Sequence, residues 1–300
     1  MNKKRILTLC CALFLLASTS GCDKAEGNET DTIAVYEALK KLENCTSCTS
    51  LQITELAESV TEAGQTHVYN STTEMELTLI TEPETKMRTK TRYLEEYNGQ
   101  KINQSNVSYI VPENGGYSEY YFDGVQWYSV FVQDAAAMSD ILMSDFTAMF
   151  VPEGLSFCKK KTETLESGNA TRYNASLYGT DLVSFLYIRG YLSNIVSMSE
   201  NQQNKIKENL AKDLGELTVS VWVDEVSGYP VHFEIDLTNI LSEMNKSISK
   251  TLGNKTSDAQ WTGTKHAMYM DLWGFNSVED IVLPPESANA TPVDPSAFEQ

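Results

Sequence analysis

Residues 74–80 read EMELTLI, and after a short break residues 86–93 read KMRTKTRY. In the first run Met75, Leu77 and Leu79 alternate with Glu74, Glu76 and Thr78. In the second, Met87, Thr89, Thr91 and Tyr93 interleave with Lys86, Arg88, Lys90 and Arg92. A period of two sorts each set onto one face of a strand. One face is therefore wet, which marks an antiparallel sheet and not a parallel one buried on both sides.

The same alternation extends outward in both directions. It predicts strands over 51–60, 66–81, 86–97, 102–111, 117–122, 125–132, 155–165, 171–178, 217–223, 231–237 and 266–275. Asp123-Gly124 is read as a two-residue type I′ hairpin turn. Helical periodicity interrupts the strands. Ile33, Tyr36, Leu39 and Leu42 recur near the start of the fold, with Lys40 and Lys41 suiting the negative end of the macrodipole. Residues 134–150 carry Met138, Ile141, Leu142, Phe146 and Met149. A helix over 180–195, capped by Thr180, is apolar all round through Leu182, Phe185, Leu186, Leu192 and Ile195, and 200–214 is polar, helical and exposed. Strands do not alternate regularly with helices, so a parallel βαβ plan is excluded. The predicted class is α+β: a strongly curved antiparallel sheet, an incomplete barrel, with helices packed in its concave face.

The chain opens with Lys3-Lys4-Arg5, an apolar run over 6–17, and Ser18-Thr19-Ser20-Gly21-Cys22. This order is that of a bacterial lipoprotein signal. The apolar run of about a dozen residues is shorter than the roughly 20 a spanning helix needs. The expected organisation is a signal peptide over 1–21, a lipid on Cys22, a flexible tether over 22–31, one domain over 32–285 and a poorly ordered tail over 286–300. The expected location is the extracytoplasmic face of the cell membrane, held by the acyl anchor.

Loss of the signal removes three basic residues and no acidic ones, taking the formal net charge from −18 to −21. A phosphate backbone is gripped by clustered Lys and Arg, which excludes nucleic acid as a partner. The same charge argues against lying flat on anionic lipid. With 41% hydrophobic residues the chain can still build a sizeable core.

No catalytic signature emerges. There is no nucleophile elbow and no phosphate-cradling loop, and His67, His232 and His266 stand apart in strand-like sequence. Glu95-Glu96 and Asp224-Glu225 are adjacent, so in strands they point to opposite faces. Cys45-Thr46-Ser47-Cys48 has C-x-x-C spacing, but no second pair or histidine completes a zinc site. It is left as a disulfide or as quiet thiols beside Cys158. No cofactor and no metal are expected. The surplus of methionine and tryptophan is either ordinary core filling or a soft lining for acyl chains. As a lining, the candidate ligand-binding residues are Met75, Leu77, Met87, Trp127, Phe185 and Leu186.

Residues 120–128 (YYFDGVQWY), 219–237 (VSVWVDEVSGYPVHFEIDL) and 268–290 (MYMDLWGFNSVEDIVLPPESANA), following the lipobox and first helix, carry a resemblance. The chain resembles a family of Gram-positive lipoproteins whose fold is similar to the LolA/LolB-like and mycobacterial lipid-carrying lipoproteins. The resemblance implies a half-barrel that binds a lipid or acylated protein in its hollow, with no ligand-contacting residue matched one to one. The expected function is a lipid-anchored binding protein, not an enzyme, that holds or transports a lipid or other hydrophobic ligand. The alternative is an envelope protein that meets a protein partner and has no ligand cavity.

Overall fold

The structure, a computed structural model, describes residues 27–62, 64–132, 147–152, 154–253 and 260–294. The signal segment, Cys22 and most of the helix expected over 134–150 lie outside the described residues.

The described residues form one open, mostly antiparallel sheet of twelve strands with four α-helices. Helix α1 (Glu29–Glu43) comes first, capped by the Asn28 side chain, which accepts from the Thr30 amide at 2.9 Å. It buries Val35, Ala38 and Leu42, and leaves Ile33, expected on the apolar stripe, 49% exposed. Strands β1 (Ser47–Glu62), β2 (Gln65–Ile80), β3 (Lys86–Tyr97), β4 (Gln100–Glu113), β5 (Gly116–Phe122) and β6 (Trp127–Val132) then meander. After β7 (Phe157–Leu165) and β8 (Gly168–Leu177) come α2 (Gly179–Ile188) and α3 (Glu200–Asp213). Strands β9 (Leu217–Asp224) and β10 (Pro230–Asp236), helix α4 (Thr238–Thr251), β11 (Gln260–Trp273) and a short β12 (Thr291–Pro292) complete the fold. The order across the sheet is β12-β6-β5-β4-β3-β2-β1-β11-β10-β9-β8-β7, so the ends do not meet. It is a half-barrel.

The outer strand β7 is covered at its start and β6 is paired in part by the short β12, which matters because an open edge invites another chain to pair. On β7, the Phe157 amide donates to the Thr32 hydroxyl and the Lys159 amide to the Asp31 carboxylate, each at 2.8 Å, while the Phe157 carbonyl accepts from the Asn28 amide at 2.9 Å. Gly27 lies so close to this strand that a Cβ there would sit 2.4 Å from the Ser156 Cβ. On the far side, β12 pairs with β6 in parallel, Thr291 opposite Tyr128. The order expected to end at residue 285 thus continues through a 3₁₀ turn (Pro285–Asn289) to β12.

Several local expectations are corrected. The Asp123-Gly124 turn is a four-residue loop, since Phe122 pairs with Trp127; Asp123 Oδ1 accepts from the amides of Val125 and Gln126 at 2.8 and 3.0 Å. Helix α2 starts one residue before Thr180 and stops at Ile188, because Gly190 turns left-handed (φ +79°) and the Tyr191 amide returns to the Leu186 carbonyl at 3.0 Å. Residues 193–195 form a separate 3₁₀ turn. Helix α3 is not wholly exposed, for Ile206 and Leu210 are fully buried. Helix α4 was not expected at all, although Ile240, Leu241, Met244 and Ile248 recur at helical spacing and are buried.

The core lies between the helices and one face of β7–β11, where Phe157, Val219, Phe233, Ile235, Met270 and Leu272 meet Leu182, Leu186, Ile206 and Leu210. Phe150 closes over Phe233, ring centroids 5.7 Å apart. Leu77, Leu79 and Met87 extend this cluster onto β2 and β3.

Candidate functional site: the inner face of the half-barrel

Residues directly opposite one another on neighbouring strands share a face, so the register follows the inner face as rows. One row runs Tyr173, Val221, Phe233, Met270, Gln52, Met75, Thr91, Asn106. The next runs Ala175, Val219, Ile235, Met268, Thr54, Thr73, Tyr93, Gln104. From β11 to β1 both turn to hydroxyl and amide side chains, interrupted only by Met75 in the first row. The inner face is therefore amphipathic across the sheet, not uniformly apolar. Its apolar side chains concentrate under the helices and continue onto β2 and β3 only through Met75, Leu77, Leu79 and Met87 and the row that runs from Leu79 to Val130.

Over β3–β6 this face is an open trough of about 1110 Å³. Its floor is Thr89, Thr91 and Tyr93 from β3, Gln104, Asn106 and Ser108 from β4, Glu119 and Tyr121 from β5, and Val130 from β6. The alternation that decides the fold also decides this lining. Thr89, Thr91 and Tyr93 point in, while Arg88, Lys90 and Arg92 point out, where Arg88 pairs with Glu76 and Arg92 with Glu74. At the outer end Tyr69 and Tyr93 hydroxyls lie 2.9 Å apart and Tyr93 donates to Glu95 at 2.7 Å.

Glu119 stands in the row Leu79, Met87, Ile110, Glu119, Val130. Burial among those apolar neighbours pushes its carboxyl above the ordinary value. Tyr121, two residues along on the same face, stacks on Tyr128 at 5.0 Å. Its phenol is likewise pushed up, first by burial and then by the Tyr128, Asp123 and Glu119 charges.

A second, smaller hollow of about 210 Å³ opens on the same face between α4 and the far ends of β1 and β11. Leu56, Leu241, Met244 and Tyr191 give it an apolar wall; Glu58, Lys265 and His266 stand at its border. The Tyr191 hydroxyl lies 3.1 Å from His266 Nε2.

The six ligand-lining candidates do not converge on either hollow. Leu77, Phe185 and Leu186 are buried in the core and Met87 packs against it. Met75 lies on the inner face, in the row between Gln52 and Thr91. Trp127 is on the opposite face, 5.4 Å from Phe122 and 6.0 Å from Tyr109. The trough residues themselves, short polar side chains at alternate strand positions, look like any sheet surface in sequence. Only the register shows that they form one lane. Cys45 and Cys48 are buried free thiols, and burial pushes the Cys48 thiol far up. Among the described residues no group of three His, Cys, Asp or Glu could hold a metal, and no helix is long and apolar enough to cross a membrane. His232 sits on the outer face, its Nδ1 2.6 Å from Asp271.

Several solved structures match over most of the chain, at low identity and with TM-scores below 0.5. LprF from Mycobacterium bovis matches at 9% identity with a TM-score of 0.43, covering 87% of this chain and 99% of that one. The lipoprotein LppX from Mycobacterium tuberculosis matches at 10% identity and 0.34, over 85% of this chain and 100% of that one. A putative outer membrane lipoprotein-sorting protein domain from Vibrio parahaemolyticus matches at 10% identity and 0.23, over 84% and 94%. No protein-family model and no curated protein matches the sequence. What the inner face can hold is set by its own side chains.

Proposed function

We propose that the chain is an extracytoplasmic binding protein, anchored by a lipid on Cys22, that holds an amphiphile along the inner face of the half-barrel. The observation that carries this reading is the change of chemistry along the rows. The two middle rows pass from Phe, Met and Ile under the helices, with Met75 still apolar on β2, to Thr, Asn, Gln and Tyr in the open trough. A purely apolar ligand would leave the trough's amides and hydroxyls without partners, which costs free energy for each one desolvated. A purely polar ligand would gain nothing from the apolar wall of the smaller hollow. A molecule with a polar head and an apolar tail satisfies both, the head over β3–β5 and the tail toward β1 and β11. A trough of this size lies just above the usual range of small-molecule sites, about 300–1,000 Å³.

Native mass spectrometry of the full chain after gentle extraction tests the reading. Co-purifying amphiphile, lost when Thr91→Trp fills the lane, is the expected result. A ligand-free chain that also takes up no added detergent below its micellar concentration overturns it and favours a protein-interaction role. Radiolabelled fatty acid should enter the wild-type chain and not Cys22→Ala.

A further inference from the structure

Charge is segregated between the faces of β3–β6. The basic side chains of β3, Lys86, Arg88, Lys90 and Arg92, alternate with the inward-facing residues and so lie outside. None of the trough's lining residues is Lys, Arg or His, while two are acidic. Of these, Asp123 sits at the rim and its carboxylate is already engaged by backbone amides. Glu119 differs. It is in the wall, flanked by Ile110 and Val130, and makes no hydrogen bond or ion pair with any described residue.

A half-buried carboxylate that finds no partner among the described residues is unfavourable there, and a cation arriving with a ligand removes that cost. We infer that the trough selects an amphiphile whose head carries an ammonium group, held by the Glu119 carboxylate with the Tyr121 ring beside it. This rests on the amphiphile reading and names its head group. The N⁺–H to carboxylate contact is charge-assisted, and a tyrosine face adjacent to it adds attraction for a cation. The surrounding Thr, Ser, Asn and Gln side chains supply uncharged hydrogen bonds to whatever else the head carries. An anionic head would meet a carboxylate and no counter-charge.

Calorimetric titration of the full chain with decylammonium, decanoate and decyl maltoside, each below its micellar concentration, separates the possibilities. Decylammonium should bind about tenfold more tightly than decanoate, with the preference weakened by salt. Glu119→Gln should abolish the preference and keep decyl maltoside binding. Glu96→Gln, which removes the same charge from the outer face, should leave the preference intact. Tyr121→Leu should weaken the ammonium ligand alone, giving a second readout if Glu119→Gln does not fold. Equal binding of all three probes, or a preference that survives Glu119→Gln, overturns the head-group assignment while the amphiphile reading stands. Binding of none overturns both.

Discussion

The Tyr191 hydroxyl and the His266 imidazole meet 3.1 Å apart, their rings edge to face at 5.5 Å, beneath helix α4. Burial lowers the imidazole's affinity for a proton below its ordinary value of 6.5, against the opposing charges of Glu58 and Asp236. The sign follows. The unfolded chain takes up this proton as pH falls through about 6.5, and the folded chain does so only at lower pH. Neutral His266 therefore contributes stability above that value, and the contribution is lost on acidification. An NMR titration should place the His266 midpoint below 6.5, and urea unfolding should show His266→Gln with a shallower loss of stability between pH 7 and 5 than the wild type.

Gly27→Ala should destabilise the fold by about 1–3 kcal/mol, the usual cost of forced overpacking. Its new methyl would lie 2.4 Å from the Ser156 Cβ and 2.9 Å from the Phe157 nitrogen. The start of α1 would have to lift off β7, weakening the Asn28 and Thr32 contacts to Phe157. A lowered thermal midpoint measures this, and a midpoint equal to the wild type's would show that the approach is not tight.

Asn106→Trp should empty the trough of ligand with little change in stability, since Asn106 is exposed on a floor that no described helix covers. Lys90→Trp, one row position away but facing outward, should leave binding unchanged. Paired binding and thermal-unfolding measurements distinguish blockage from misfolding.

Cys45 and Cys48 should resist iodoacetamide in the native state and react on unfolding. The Cys48 thiol is pushed far up, chiefly by burial and then by Cys45, so almost no thiolate is present at neutral pH. Mass spectrometry of alkylated peptides, with and without guanidinium, reads the difference. Rapid native labelling of Cys48 would contradict its burial.

Much of this fold is legible in the alternation of single strands. Met75, Leu77 and Leu79 announce their common face before any partner is known, and β3 runs over the same residues as the period-two reading. Helix α4 escaped because its polar positions are numerous and it follows directly on β10; its buried stripe of Ile240, Leu241, Met244 and Ile248 was the available signal. The trough escaped for a different reason. Thr91 and Asn106 acquire a joint meaning only through the register that sets them opposite each other, and pairing between strands is a property of the whole sheet. Trp127 illustrates the converse, a residue of suggestive type whose face is decided by its pairing with Phe122.

The stitching of Asn28, Asp31 and Thr32 onto β7 at one end, and the docking of β12 on β6 at the other, has a consequence for crowding. Where a neighbouring molecule would begin to zip onto the start of β7, the first amides and carbonyls are already taken. Copies brought close together should accordingly not join through this end of β7, each keeping its own hollow open to the surroundings.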